Sequence, residues 1–344
     1  LSKYFIRRIL LIIPTLIGIT FITFLILQAV PGGPLETQLM KLRFGGTGTG
    51  ETPSATTESK VINIPESALK ELKEFYGFDK PVLARYLIWL KNVFMLDFGK
   101  SYVHAEPVIN VITDRFPVSL YFGIAGFLLT YLVCVPLGII KAVRNGSRFD
   151  FISSFVVFLG YSTPGWAFGI LMLILFGGGS FMNIFPLGGF HSGNFESMTF
   201  FEKISDIINH TFLPVLSYMI GSFATLTILT KNAVLENLGK DYVRTAYAKG
   251  LPQKRILYIH VLRNSLIPIV TGLGHFFSII LAGSILIEKV FNIQGIGMLA
   301  YNSVIERDYP VVMGLLVFQA VLLLAGNILT DFLYAYVDPR IRYK

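Results

Sequence analysis

The chain reads as an all-α, polytopic membrane protein with six membrane-crossing helices. Three observations lead there. Hydrophobic residues make up 53% of the 344 residues and charged residues 15%, where a soluble chain carries about a quarter charged, and the mean hydropathy is +0.64. Six apolar runs are long enough to cross about 30 Å of hydrocarbon as helices: Ile9 to Val30, Val118 to Ile140, Phe151 to Phe176, Phe212 to Thr230, Leu266 to Ile287 and Val311 to Tyr334. Finally, the Lys and Arg residues of the short connections gather on one side of those runs.

The first run follows Lys3, Arg7 and Arg8, as a signal peptide would. It is too long for one, and Val30-Pro31-Gly32-Gly33-Pro34 offers no small-x-small cleavage site, so residues 1–30 are read as the N-terminus and an anchoring span. The same side carries Lys141, Arg144 and Arg148, the basic residues between Lys231 and Arg263, and Arg340, Arg342 and Lys344; the short opposite loops carry Lys203, Lys289 and Arg307. Basic loops stay in the cytoplasm, so both termini and the 231–265 loop are expected there. This asymmetry accounts for the net charge of +8 without a nucleic-acid partner.

Residues 31–116 are too many for a turn and are expected outside as a cap of two or three helices. Residues 45–60 read as a flexible insert low in apolar content. Helices are predicted at Ser67–Tyr76 and Pro81–Phe94, the second with Val82, Leu83, Tyr86, Leu87, Leu90 and Phe94 on one face. The Gly-rich 45–50 stretch has no Lys-Ser/Thr after it and no strand before it, so it is not a phosphate loop, and no such loop occurs elsewhere. HExxH and GxSxG are absent and the five histidines are scattered, so neither catalysis nor a resident metal or other cofactor is expected. Cys134, the one cysteine, lies inside a span and excludes an internal disulfide.

The core, residues 117–344, places polar residues at mid-membrane depth. Tyr161, Ser162 and Pro164 fall halfway along the third run, where proline removes a helical hydrogen bond and kinks the span. Tyr218, Ser222 and Thr225 share a face of the fourth span, and Thr271, His275 and Ser278 share one of the fifth. His275 is about 15 Å past Ser265 at the helical rise, near the bilayer centre, where an ionisable group is a functional candidate. Together these side chains form a candidate substrate pathway whose donors and acceptors suit peptide backbone. The competing reading is helix packing and bonding to the helix's own backbone.

Between the fourth and fifth spans, Leu235, Leu238, Tyr242 and Ala246 recur at helical spacing on a segment too charged to cross a bilayer, so this stripe must dock against something. Gly250 permits a sharp turn or a close backbone approach, and Pro252 suits the first turn of the helix that follows.

With those pieces placed, the whole chain resembles the inner-membrane permeases of dipeptide, oligopeptide and nickel ABC importers. The resemblance rests on YFIRRILLIIPTLIGITFITFLILQAVPGGP, FYGFDKPVLARYLIWLKNVFMLDFGKSY, VRTAYAKGLPQKRILYIHVLRNSLIP, FNIQGIGMLAYNSVIERDYPVV and DFLYAYVDPRIRY. The insert before Phe75, KAVRNGSRFD and GGGSFMNIFPL are similar to the Yej-type branch, associated with uptake of peptides and of the peptide-nucleotide antibiotic microcin C. The resemblance implies the type I ABC importer permease fold and a non-catalytic subunit in a bacterial inner membrane. It also implies a heterodimer with a second permease, an extracytoplasmic peptide-binding protein, and two ATPase subunits or domains that bind ATP and Mg and dock on residues 240–256. It assigns ATPase coupling to Tyr242, Arg244, Thr245, Ala246, Gly250, Leu251 and Pro252. Arg244 stands where the family pattern has Glu, and Arg263 where it has Pro. Dipeptides or nickel complexes are the alternative substrates, and a membrane scaffold or sensor without transport is the alternative class.

Overall fold

The computed structural model describes residues 2–30, 80–179, 181–271 and 284–337. The 45–60 insert, the helix predicted at Ser67–Tyr76 and the middle of the fifth predicted span, with His275 and Ser278, lie outside the described residues. In chain order the helices are α1 (Ser2–Ala29), α2 (Val82–Phe94), α3 (Val108–Val143), α4 (Arg148–Ser162), α5 (Gly165–Phe176), α6 (Phe200–Leu238), α7 (Asp241–Ala248), α8 (Leu262–Thr271), α9 (Ile285–Val290), α10 (Ile296–Ile305) and α11 (Tyr309–Val337). Gln253–Arg255 and a π-helical segment, Ile256–Val261, lead into α8.

Helices α1, α3, α6 and α11 each contain a stretch long and apolar enough to cross a membrane. The third predicted span is not one kinked helix: α4 and α5 meet at 103° across Thr163 and Pro164, so they qualify as one span only as a bent pair. That makes up to five crossings among the described residues. The remaining predicted span starts in α8 and runs beyond the described residues. At 1.5 Å per residue, α3 and α6 are about 54 and 58 Å long, so the predicted second and fourth spans are the centres of much longer rods of 36 and 39 residues. The first turn of α6 is held by Glu202, whose carboxylate accepts from the Thr199 backbone N–H and hydroxyl, both at 2.8 Å.

The chain divides into two compact units. In the unit formed by Leu1–Ile12, Asp114–Leu299 and Gln319–Lys344, α4, α5 and α8 pack on α6. Cys134, Val157, Met219, Phe223, Ala224, Leu226 and Ile269 form one buried apolar cluster. Helix α3 lies so close to α6 at Gly138 that a Cβ there would stand 2.6 Å from Thr230 Cβ and 2.8 Å from Thr227 O. Small residues let membrane helices approach in this way. In the unit formed by Ile13–Thr113 and Ala300–Phe318, α2 packs on α1 around Tyr86, and Phe24 and Met313 complete the cluster. There Asp308 accepts from the Ser101 hydroxyl and from the Tyr102 and Val103 N–H groups.

A second acidic anchor, in the first unit, fixes the turn into α10. Glu288, one residue past the predicted fifth span, is 1% exposed. It accepts from Met298 N–H at 2.6 Å, Gly297 N–H at 3.4 Å and the Ser119 hydroxyl at 3.5 Å. The Ser119 oxygen in turn accepts from Ile296 N–H at 2.8 Å. Gly295 must be glycine for this geometry, since a Cβ would lie 2.6 Å from Glu288 Cδ. Burial pushes the Glu288 carboxyl up to about 7, and the N–H donors pull it only partly back. An unfolded Glu ionises near 4.5, so the folded chain binds the extra proton between these values. The contribution of Glu288 to stability therefore falls as pH rises through this window. The apparent Tm of the detergent-solubilised protein should decline between pH 5 and pH 8, and Glu288→Gln should flatten that decline; an equally steep profile in the variant would count against it.

Candidate functional site

The charged connection after α6 folds as a small platform. Helix α6 stops at Leu238, Gly239 and Lys240 turn the chain, and α7 starts anew with Asp241 in its first turn. The stripe expected from Leu235, Leu238, Tyr242 and Ala246 is therefore split between two helices. The face that α7 buries is Val243 and Ala246, against Ala142, Val234, Ile256, Val261 and Leu262, with Leu235, Leu238 and Leu251 at the margin. The i→i+5 turn of the π segment brings Ile256 and Val261, five residues apart, onto this one side.

Tyr242 is partly exposed and acts as a fastener. Its hydroxyl donates to Asn237 Oδ1 at 2.8 Å and accepts from Asn264 Nδ2 at 3.2 Å, tying α7 to the end of α6 and to α8. Thr245 donates to Asp241 O at 3.0 Å. Arg244 points outward, and its 3.5 Å ion pair with Asp241 is fully surface-exposed, so it adds little to stability. Gly250 has φ +73°, and a Cβ there would meet nothing within 4 Å. Of the two reasons for a glycine, the left-handed turn is the one that holds. Leu251 N–H returns to Ala246 O at 3.3 Å, and Pro252 stands as the cap of the Gln253–Arg255 turn. The outer surface carries Arg244, Tyr247, Lys249, Lys254, Arg255 and Tyr258, a mixture of Tyr and basic residues suited to a protein partner. The sequence reading missed Val243 and Tyr247; the i, i+3 pair Val243 and Ala246 was the available signal.

Behind the platform, three charged side chains join α3, α4 and α6. Lys141, 1% exposed, lies 3.0 Å from Asp150 Oδ1 and donates to the hydroxyls of Ser153 and Ser154 and to Asp150 O. Lys231 bonds both Asp150 oxygens at 2.8 Å. Asp150 also accepts from Gly146 N–H at 3.1 Å.

The candidate pathway residues fall into distinct groups. Tyr161, Ser162 and Pro164 are exposed at the break between α4 and α5, and Ser162 donates to Phe158 O at 3.0 Å. Tyr218 is half-buried, stacks on Phe122 at 6.0 Å and accepts from Ser284 N–H at 3.0 Å. Ser222 is half-buried and Thr225 exposed, continuing the same side of α6. By contrast, the buried Thr211, Ser217, Thr227 and Thr230 each donate to the carbonyl four residues back. Thr271 closes α8, while its expected companions His275 and Ser278 are outside the described residues.

This geometry is that of a multi-pass helical membrane protein with a built platform at the end of its longest rod. The chain belongs to the family of binding-protein-dependent transport system inner membrane components, whose model matches residues 134–343. It is 42% identical over 362 residues to the inner membrane ABC transporter permease protein YejB of Escherichia coli O157:H7, covering 100% of both chains. It is 39% identical to the peptidoglycan transport system permease protein YejB of Agrobacterium fabrum, covering 100% of this chain and 99% of that one. It is 34% identical to the oligopeptide transport system permease protein AppB of Bacillus subtilis, covering 100% of both.

The charged cluster yields a stability test. Asp150→Asn leaves Lys141 buried without its counter-charge. Because Lys231 is partly exposed, the loss should be about 2–3 kcal/mol, at or below the low end of the about 3–5 kcal/mol for a fully interior pair. The apparent Tm in detergent should drop, and adding Lys141→Met should restore most of it; no recovery would show that the ion pair is not what holds these helices.

Proposed function

We propose that this chain is one of two membrane subunits of an ATP-driven peptide importer in a bacterial inner membrane. The observation that carries this reading is the α7 platform. It is a short helix seated on an apolar bed, secured by Tyr242, turned by Gly250, and presenting basic and tyrosine side chains outward. Such a surface suits an ATPase subunit that grips Tyr242, Arg244, Thr245, Gly250, Leu251 and Pro252 while binding ATP and Mg itself, with Ala246, buried beneath α7, seating the helix on its bed. The distribution of Lys and Arg supports placing this loop and both termini in the cytoplasm. Residues 31–116 then lie on the outer side, where a peptide-binding protein delivers substrate, and a second, similar permease completes the pathway.

In this reading the pathway runs past Tyr161, Ser162 and Pro164 at the helix break, Tyr218, Ser222 and Thr225 on α6, and Thr271, His275 and Ser278 on the fifth span. Closure of the ATPases, passed through α7 into α6, opens the pathway outward. The oligopeptide permease relative and the Yej-type resemblance favour peptides over dipeptides or nickel complexes, and extend to microcin C. The peptidoglycan transport system relative adds peptidoglycan as a further candidate substrate.

Two experiments test this. Gly250→Trp should leave membrane abundance and ATP hydrolysis intact and lower uptake about tenfold or more, the effect of removing ~1.4 kcal/mol of docking. Gly250→Asn, which tolerates a left-handed backbone, should retain most uptake. Normal transport by the Trp variant would refute the docking surface. In cells lacking this subunit, uptake of labelled oligopeptides and sensitivity to microcin C should both be lost and return on complementation. Loss of nickel accumulation alone would overturn the substrate, and no transport defect at all would favour a scaffold.

A further inference from the structure

Helix α2 belongs to the stretch expected as a water-exposed cap, yet its anchor is fastened to the middle of a membrane span. Tyr86 is 3% exposed. Its hydroxyl donates to Ile17 O at 3.0 Å and lies 3.0 Å from Thr20 Oγ1. Thr20 stands ten residues from the end of the apolar run at Val30, about 15 Å at the helical rise, or halfway through about 30 Å of hydrocarbon. The contact is no glancing one. The Tyr86 ring meets Phe21 at 5.1 Å and Phe24 at 5.5 Å, and Trp89 stacks on it at 6.0 Å. Leu27 and Leu90 close the cluster.

The side of α2 turned away from this cluster is apolar except for Lys91, with Arg85 and Asn92 at its edge. Leu83, Leu87, Ile88 and, at the helix end, Phe94 are exposed, followed by Met95 and Leu96. On α1, Ile22, Leu25 and Ile26 are exposed over the same length. A cap helix in water would turn polar residues outward. Of the apolar face predicted from Val82, Leu83, Tyr86, Leu87, Leu90 and Phe94, Tyr86 and Leu90 are packed while Val82, Leu83, Leu87 and Phe94 are uncovered, and these continue the apolar surface that α1 must present to lipid. At 13 residues, about 20 Å long, α2 is too short to cross. The charge of Lys91 sits on a stem long enough to reach toward the headgroups.

We infer that α2 is embedded in the bilayer on the Ala29 side of α1's midpoint, with lipid acyl chains covering its Leu83, Leu87 and Ile88 face. The hydroxyl network of Tyr86 and Thr20 is then a polar contact made inside hydrocarbon, where it has no water to compete with it. Within the segment between the first two predicted spans, α2 would then touch the membrane rather than float above it. This holds whether or not the chain transports peptides.

Depth measurements on the full chain in liposomes decide it. Leu83→Cys and Leu87→Cys, made with Cys134→Ala and labelled with a nitroxide, should be relaxed more strongly by oxygen than by a water-soluble nickel chelate. A label at Lys249→Cys should show the reverse. Stronger relaxation by nickel at positions 83 and 87 would return α2 to water, and shielding from both reagents would mean that a protein partner covers it; either result overturns the inference. The two tryptophans offer a check that needs no label. With Trp166→Phe, Trp89 fluorescence should be lost in lipids brominated on their acyl chains and spared by aqueous acrylamide, and the opposite pattern refutes embedding.

Discussion

Hydrocarbon offers no hydrogen bonds, and every polar group placed in it must find its partner within the protein. Much of this structure follows from that. On α6, Thr211, Ser217, Thr227 and Thr230 turn back to the carbonyl four residues earlier, and on α3 Thr130 does the same to Gly126 O. Two tyrosines that reach another helix also find a carbonyl: Tyr131 donates to Ile269 O at 3.0 Å, and Tyr86 to Ile17 O. The rule separates two kinds of polar residue that look alike in sequence. Buried hydroxyls that bond their own helix are packing groups. Ser222 and Thr225 lie on a less covered side of α6, and they, with the exposed residues at the α4–α5 break, keep the stronger claim to a pathway.

How much of this was legible follows the same physics. Apolar length and charge asymmetry are local properties, so the crossing helices α1, α3, α6 and α11 and the basic loop were readable in advance. Pro164 was correctly read as a disruption, but a single proline does not set an angle; the 103° turn arises where Thr163 takes an extended backbone before it. The stripe through Leu235 and Ala246 assumed one unbroken helix, and Gly239 interrupts it. A glycine at 250 serves either a left-handed turn or a close approach, and only its positive φ separates the two. Glu288, Asp308 and the Lys141–Asp150–Lys231 cluster were not legible at all. The partners that join one helix to another lie 9 to more than 200 residues away in sequence, and no periodicity reports such pairings.

Those anchors share a purpose. Isolated helices shorter than about 12–15 residues are marginal in water, and α7, α9 and α10 have 8, 6 and 10 residues. Each is held by a side chain from outside its own turn pattern. Asn237 and Asn264 hold Tyr242 of α7, while Glu288 of α9 caps the start of α10. The rods α3 and α6 rest mainly on apolar packing along their length, with the Lys141–Asp150–Lys231 cluster joining them at one end. An importer driven from one end, as proposed above, would require this division. The rod must carry displacement without bending, so its stability should be spread along its packed face. The short elements at its ends must hold one geometry yet be able to exchange it for another, so their stability should sit in a few directional hydrogen bonds. A platform seated on Val243 and Ala246 and fastened through the Tyr242 hydroxyl, on a rod packed along its length by apolar side chains, meets both requirements within a single chain.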